Sequence, residues 1–171
     1  THAMLRWMAP FLSFTAEEAW PIFAPGQSES IFIETFYDVP VTADADQLLT
    51  KWSRIRAIRD VANKEIENLR AAGGIGASLQ AALHISAQPE DYELLASLED
   101  DLKYVFITSA VQLQPGQPGQ APQVQVAPAS GSKCAMTWHY SDTVGQDAQH
   151  PTLSARAISN LFGTGEVRRF A

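Results

Sequence analysis

Apolar residues recur at spacings of three and four between residues 48 and 72, as expected for the buried face of an amphipathic helix. Arg59 falls on this apolar stripe, so we expect its long side chain to reach solvent or to pair with a carboxylate. Gly73 and Gly74 follow, and such glycines are typical of a helix C-terminus. The pattern therefore predicts a long helix that buries Leu48, Trp52, Ile55, Ala62, Ile66 and Leu69.

The apolar period then changes to two, which predicts a strand with one buried face over residues 79–86. Pro89 is suited to the first turn of a following helix, and residues 104–111 are rich in side chains that favour strands. Residues 114–122 read QPGQPGQAP and predict a linker or a flexible hairpin tip, after which alternation resumes over residues 123–127. We expect this middle third to be a small α+β unit.

Two short helices are expected near the start of the chain. Pro10 interrupts the first apolar stretch, because proline removes a helical hydrogen bond. The sequence TAEE then predicts a capping box with Thr15 as its N-cap, and Phe14 is placed to pack against Ala19 as a hydrophobic staple. The second helix is expected to end near Phe23.

Composition narrows the classes of protein that fit this chain. Its 171 residues include one Cys, 46% are hydrophobic and 18% are charged, so the chain can bury a core and a disulfide scaffold is excluded. No run approaches the roughly 18 apolar residues of a membrane span, and the first residues do not follow the order of a secretory signal. We therefore expect a cytoplasmic protein without membrane contact.

Positive charge is concentrated in two segments of an acidic chain. The formal net charge of −7 excludes a protein that grips nucleic acid with its whole surface. Residues 48–72, however, carry six basic and three acidic residues, and residues 130–171 carry four basic and three acidic residues. These two basic islands allow local contact with a polyanion. Cys134 has His139 nearby in sequence, but no third group orients such a pair, so we predict no catalytic residue.

Three segments, in order along the chain, carry a recognisable pattern. Residues 5–20 read LRWMAPFLSFTAEEAW, and residues 59–83 end in IGASLQAAL. Residues 133–140 read KCAMTWHY, followed by HPTLSARAISNL at 150–161 and a basic end with two glycines at 163–171. The chain resembles bacterial isoleucyl-tRNA synthetases. The first segment is similar to their helical anticodon-binding domain, the second to the helix and strand that leave that domain, and the last to their C-terminal zinc module. This resemblance, and a first residue other than Met, imply a C-terminal fragment of a longer enzyme.

The resemblance also implies a zinc site that this chain has lost. The family's zinc ligands are four cysteines, and the matching positions are Cys134, Thr137, Ser154 and Ala157. Neither a hydroxyl nor a methyl group replaces a zinc-bound thiolate, so we expect a metal-free tail held by packing. The apolar residues available for that packing are Trp138, Tyr140, Leu153, Ile158, Leu161 and Phe162.

A substitute zinc site is the less favoured alternative. It would be assembled from Cys134, His139 and His150, whose spacing does not match a zinc motif.

The implied architecture is an α+β chain in three parts. Residues 1–73 are expected to be the C-terminal part of a helical anticodon-binding bundle. Residues 74–129 are expected to form a small α+β domain with a linker at 114–122, and residues 130–171 a zinc-ribbon-like tail without its metal.

The resemblance implies RNA recognition and no catalysis by this chain. In the family, ATP-dependent aminoacylation uses His-Ile-Gly-His and Lys-Met-Ser-Lys-Ser signatures, which are absent here. The implied partners are isoleucine tRNA and the N-terminal catalytic and editing domains of the same, monomeric enzyme. Anticodon bases are read by stacking on aromatic rings, while cations hold the phosphates. The RNA-binding candidates are Arg54, Arg56, Lys64, Lys133, Trp138, Arg156, Arg168 and Arg169.

Two other classes of function stay open at this point. A stand-alone protein-interaction module would share the helices, but it would not need the basic tail. A degenerate zinc-ribbon nucleic-acid-binding domain of the DNA-repair type would resemble the tail, but it would not explain residues 1–83.

Overall fold

The computed structural model describes residues 1–166. Its backbone contacts divide the chain into two compact units, Thr1–Asp46 and Gln47–Ala171, each with its own hydrophobic core. Helices and small sheets both occur, so the predicted mixed α+β class is confirmed. Within residues 1–166, no helix combines the length and the apolar character needed to cross a membrane. The three-part division of the chain stays a prediction.

The first unit is built on two short helices. Helix α1 (His2–Met8) ends just before Pro10, as the proline predicts, and helix α2 (Ser13–Phe23) ends at the expected residue. The two helices and the loop that follows them enclose a small core. That core consists of Leu5, Ala9, Ala16, Trp20, Ala24 and Ile31.

Hydrogen bonds hold the loop after α2 against that helix. The Trp20 indole is fully buried, and its Nε1 donates to Ser28 Oγ at 3.1 Å. One oxygen of the Glu17 carboxylate accepts from Ser30 Oγ and from the Ile31 amide, both at 3.0 Å. Glu17 therefore connects α2 to the loop.

The predicted capping box at the start of α2 is wrong. The helix begins at Ser13 with Leu12 as its N-cap, and no side chain caps it. Thr15 thus lies inside the first turn, because the Leu12 carbonyl already accepts the Ala16 amide at 2.9 Å. Phe14 is 92% exposed, so the predicted staple is wrong as well. The face of α2 that contains Ala16 is buried, and we attribute the start of the helix to the burial of that face and not to a cap at Thr15.

Helix α3 (Ala45–Ala71) confirms the predicted long helix. Its buried face matches the predicted stripe at most positions, but Leu48 is 46% exposed. Ile58, and not Arg59, fills the gap in the stripe, because an isoleucine three residues after a buried isoleucine extends the same helical face. Gly73 follows the helix with a left-handed φ of 78°, which confirms the predicted glycine stop.

A three-stranded sheet forms the centre of the second unit. Its strands are β1 (Ala81–Ala87), β2 (Ala110–Pro115) and β3 (Gln123–Pro128). Strand β1 lies in the middle, parallel to β2 and antiparallel to β3. The predicted alternation along β1 is confirmed, since every second side chain is buried. Those buried residues, which pack with α3 in one core, are Ala81, Leu83, Ile85 and Ala87.

Two helices connect β1 to β2. Helix α4 (Pro89–Ala96) begins at the predicted proline, and α5 (Leu102–Phe106) follows it. The strand predicted at residues 104–111 is wrong over residues 104–109. Helix α5 forms there instead, because its first and last residues lie four apart and are buried together. Ile107 then adopts a left-handed φ of 55° and ends the helix, so β2 begins three residues later.

The segment between β2 and β3 is anchored at the end of the sheet. A hairpin tip is excluded, because β1 lies between the two strands that this segment joins. The Gly116 amide donates to the Ala87 carbonyl at 2.6 Å, and the Gly119 amide donates to Gln88 Oε1 at 3.1 Å. The glycine-rich sequence thus allows a close crossing of the chain over the end of β1.

The tail of the chain adds a small ribbon and a helix to the second unit. Strands β4 (Ser132–Lys133) and β5 (Tyr140–Ser141) pair antiparallel, and α6 (Ala155–Phe162) follows. The Tyr140 amide donates to Ser109 Oγ at 2.7 Å, which joins the ribbon to the residue that precedes β2.

Candidate nucleic-acid interface

The four positions that match the family's zinc ligands come together in the tail. The loop between β4 and β5 contributes Cys134 and Thr137, and the start of α6 contributes Ser154 and Ala157. The loop is closed by the Cys134 amide, which donates to the His139 carbonyl at 2.9 Å. The Ser154 hydroxyl caps α6 by accepting the Ala157 amide at 3.3 Å.

Hydrogen-bond donors surround the Cys134 thiol. The side chain is fully buried, and its sulfur accepts the Ser154 amide at 3.4 Å. Burial opposes ionisation, but side-chain and backbone hydrogen bonds from Ser154 and Thr137 outweigh it and lower the pKa of Cys134 to about 6. The four matched positions therefore hold one sulfur and groups that hydrogen-bond to it.

This donor set does not fit structural zinc, which needs four Cys or His ligands. Among residues 1–166, no group of three or more His, Cys, Asp or Glu side chains is arranged to hold a metal ion. Of the alternative ligands, His139 contacts the Thr137 carbonyl through Nδ1 at 3.1 Å, and the His150 ring stacks on Phe162 with ring centroids 4.2 Å apart.

Apolar packing accounts for only part of the tail's cohesion. Three of the six residues expected to pack it, Trp138, Leu161 and Phe162, are largely exposed. The expectation is wrong for Trp138 and Leu161, whereas the Phe162 ring stacks on His150 in spite of its exposure. Hydrogen bonds within the β4–β5 loop and at the N-cap of α6 also hold the backbone of the tail. The residues that are fully or almost fully buried are the small ones, Cys134, Ser154 and Ala157.

Lys133 and Trp138 form an exposed pair at the ribbon. Lys133 Nζ lies 5.2 Å from the centroid of the Trp138 ring, and the Trp138 side chain is 61% exposed. Trp138 has a left-handed φ of 63°. An exposed indole beside an ammonium group has the chemistry that binds an unstacked base and its phosphate.

Arg156 lies at the start of α6, between an acidic and an aromatic neighbour. Its Nε and Nη2 donate to the Glu166 carboxylate at 2.6 and 2.7 Å, and its guanidinium lies 4.9 Å from the Tyr104 ring centroid. The remaining tail candidates, Arg168 and Arg169, lie outside the described residues.

The three candidates on α3 differ in their surroundings. Arg54 donates two hydrogen bonds of 2.6 Å to Asp91, whose carboxylate is almost fully buried. These bonds lower the pKa of Asp91 and join α3 to α4. Arg56 is exposed and contacts only groups on its own helix, while Lys64 is exposed with no hydrogen bond or ion pair within residues 1–166.

A cavity of about 230 Å³ lies beside the tail site, and its key residues were missed by the sequence reasoning. Lys103, Tyr104 and His139 line it together with Arg156. The His139 ring packs edge-on against Tyr104, with ring centroids 5.5 Å apart. Only the aromatic and cationic character of these residues was visible in sequence, because the fold brings them together from three separate segments.

Comparison with known proteins agrees with the resemblance. The family model described as the anticodon-binding domain of tRNA ligase matches residues 1–86, half of the chain. Over its whole length the chain is 50% identical to the isoleucine–tRNA ligase of Ralstonia pickettii, 48% to that of Burkholderia multivorans and 47% to that of Thiobacillus denitrificans. It spans 18% of the length of each of these relatives. On this evidence, the chain belongs to the family of anticodon-binding domains of tRNA ligases.

Proposed function

We propose that this chain recognises the anticodon region of isoleucine tRNA as the C-terminal part of an isoleucine–tRNA ligase. The family-model match over residues 1–86 carries this proposal, and the 47–50% identity to proteins of that name across the whole chain supports it. The complete enzyme would act in the cytoplasm, and aminoacylation would belong to the parts of the ligase that this chain does not span. No catalytic residue and no ATP site are proposed within these 171 residues.

The exposed cations and the exposed indole of the second unit supply the RNA-binding chemistry. Trp138 would stack on an unpaired base and Lys133 would hold the adjoining phosphate. Arg56 and Lys64 on α3, with Arg156, Arg168 and Arg169 of the tail, would contact the backbone of the loop. Arg54 would contribute less, since its guanidinium is engaged by Asp91.

Exposed apolar side chains of the first unit support a protein partner. Large apolar side chains on both helices and on the following loop face solvent, and such surfaces commonly mark protein contacts. We propose that they pack against the catalytic and editing domains of the same monomeric ligase and complete a helical bundle. They include Phe11, Phe14, Ile22, Ile33 and Phe36.

The tail is proposed to work as a ribbon-like module without metal. The donor chemistry around Cys134 supports this proposal, because two hydroxyls and a methyl group stand where thiolates would be required. Elemental analysis of the purified chain tests it, and one zinc ion per chain would overturn it.

Binding of an isoleucine tRNA anticodon stem-loop tests the proposed RNA function. Fluorescence anisotropy at about 50 and 200 mM salt should give an affinity that falls steeply with salt, because released counterions drive phosphate contacts. Trp138→Ala should weaken binding about fivefold or more through lost stacking. Trp7→Ala, a matched exposed tryptophan in the first unit, should leave the affinity unchanged.

Three results would contradict the proposal. Tight binding that does not depend on salt would exclude the basic islands as the contact surface. Equal affinity for the stem-loop of another tRNA would remove the isoleucine assignment. Preference for duplex DNA, or the absence of any nucleic-acid binding, would favour the repair-type domain or the protein-interaction module.

A further inference from the structure

The polar groups that line the cavity beside the tail fall into two sets, those that have a hydrogen-bond partner in the protein and those that have none. Most hydroxyls that line it are hydrogen-bonded within the protein. Ser109 Oγ donates to the Leu79 carbonyl at 2.5 Å, Thr143 Oγ1 accepts the Ala155 amide at 3.0 Å, and the Tyr140 hydroxyl accepts Gln80 Nε2 at 3.0 Å. These hydroxyls are therefore already held by the fold, although the O–H of Tyr140 can still donate.

Four groups of the lining residues have no hydrogen-bond partner among residues 1–166. Three of them are donors: the Lys103 ammonium, the Tyr104 hydroxyl and Nη1 of Arg156. The fourth is Nε2 of His139, which is buried. Because His139 Nδ1 faces the Thr137 carbonyl and must carry the proton there, Nε2 of the neutral ring is an acceptor.

Two cations among the lining residues lie close to the Tyr104 ring. Lys103 Nζ lies 5.3 Å and Arg156 Cζ 4.9 Å from the Tyr104 ring centroid. Glu166 neutralises part of this charge through Arg156, while Asp100 and Asp101 act on Tyr104 from outside the cavity lining. The lining itself carries two cations and no carboxylate.

We propose that this cavity binds one phosphate group of the tRNA backbone, with Lys103, Tyr104 and Arg156 as its donors. This inference rests on the proposed RNA function and names a contact point within it. A surplus of unpartnered donors matches a phosphate, which offers only acceptor oxygens. The volume of about 230 Å³ is below the roughly 300 Å³ of the smallest typical ligand pockets, so the cavity suits a single group and not a whole nucleotide.

Single substitutions in the 171-residue chain test the phosphate contact. Lys103→Gln should weaken binding of the isoleucine anticodon stem-loop and lower the slope of log affinity against log salt by about 0.7, the value for one single-strand phosphate. Tyr104→Phe removes only the hydroxyl and should weaken binding about threefold. Lys51→Gln is the matched control, because Lys51 of α3 donates to Ser97 at the end of α4, does not line the cavity and should leave the slope unchanged.

The source of the phosphate is tested with inorganic phosphate alone. Amide shifts of Lys103 and Arg156 in NMR spectra should move at millimolar phosphate, and this weak binding should compete with the stem-loop. Shifts that saturate with phosphate but leave RNA binding unaffected would indicate a free-phosphate site and overturn the tRNA contact.

The remaining outcomes separate the two proposals. If the chain binds the stem-loop but Lys103→Gln and Tyr104→Phe bind like the unaltered chain, the cavity is not a contact and the proposed function stands. If the unaltered chain does not bind the stem-loop, the proposed function and this inference both fail.

Discussion

At the scale of single residues, the Cys134 thiol shows how neighbours set the chemistry of one side chain. A buried thiol among apolar groups would keep its proton. Around Cys134, amide and hydroxyl donors from Thr137 and Ser154 converge on the sulfur and favour the thiolate. The backbone arrangement around Cys134 therefore favours an anion at this position.

Ionisation of Cys134 should make the stability of the chain depend on pH. Because its folded pKa of about 6 lies below the ordinary 9.0, the stabilisation is fully present above pH 9 and is lost as the pH falls through 6. At pH 7 it amounts to about 1 kcal/mol. Urea unfolding between pH 5 and 9 should show this rise, and thiolate absorbance should titrate near 6.

A matched variant separates this effect from other titrations. Cys134→Ala should lose both the absorbance change and the corresponding part of the pH dependence. A thiolate midpoint at the ordinary 9.0 would show that the donors do not stabilise the anion.

Residue identity alone predicted only the local part of the candidate site. Lys133 and Trp138 were recognisable because they lie five positions apart in one segment, and the structure brings them into contact. Lys103, Tyr104 and His139 were missed, since their proximity depends on how the tail folds onto α5. No local pattern encodes a contact between such distant positions.

At the scale of elements, the pair of Arg54 and Asp91 connects α3 with α4. Arg54→Met should lower the free energy of unfolding by about 1 to 2 kcal/mol, because it leaves the buried Asp91 carboxylate without its main partner. This loss of unfolding free energy is smaller than the loss expected on breaking a fully buried ion pair, because Arg54 is 45% exposed and solvent screens its charge. Urea unfolding at pH 7 measures the difference.

The pH dependence of that difference provides a second check. The pair holds the pKa of Asp91 below its ordinary value, so its stabilisation is present at neutral pH and is lost as the pH falls through that lowered pKa. The cost of Arg54→Met should therefore shrink in strong acid. Arg56→Met is the control and should change stability by less than about 0.5 kcal/mol, since Arg56 is exposed. Equal costs for the two variants would contradict a structural pair.

Element type was predictable where one periodicity extended over many residues. Helix α3 and strand β1 follow their apolar patterns closely, because burial of a whole face outweighs single exceptions such as Arg59. Helix α5 was missed because it has only five residues, and Tyr104 and Val105 favour strands intrinsically. The capping box predicted at Thr15 is wrong because tertiary burial can outweigh local side-chain signals. Such signals decide where a helix begins only when burial does not favour another start.

At the scale of the whole molecule, the exposed apolar surface of the first unit should dominate the solution behaviour of the chain. Phe14 and Ile22 contribute to it and are 92% and 74% exposed. Phe14→Ser combined with Ile22→Ser should reduce self-association in sedimentation velocity and lower the fluorescence of a bound apolar dye. Stability should change by less than about 0.5 kcal/mol per substitution.

Trp20→Ala provides the comparison, because it changes a buried residue of the same unit. The Trp20 side chain is fully buried, so its truncation should cost about 3 to 5 kcal/mol and increase dye binding. If the serine variants of Phe14 and Ile22 destabilise the chain to the same extent, the first unit buries these residues internally and the proposed protein contact is wrong.

The central position of β1 also has a consequence for synthesis on the ribosome. Both of its partners, β2 and β3, come later in the sequence. As a nascent chain emerges from its N-terminus, β1 is therefore made before either neighbour exists. The edge that pairs with β2 stays open to intermolecular pairing until residue 115 has been made, and the edge that pairs with β3 stays open until residue 128 has been made. A pause in elongation before that point would leave the polypeptide most exposed to aggregation.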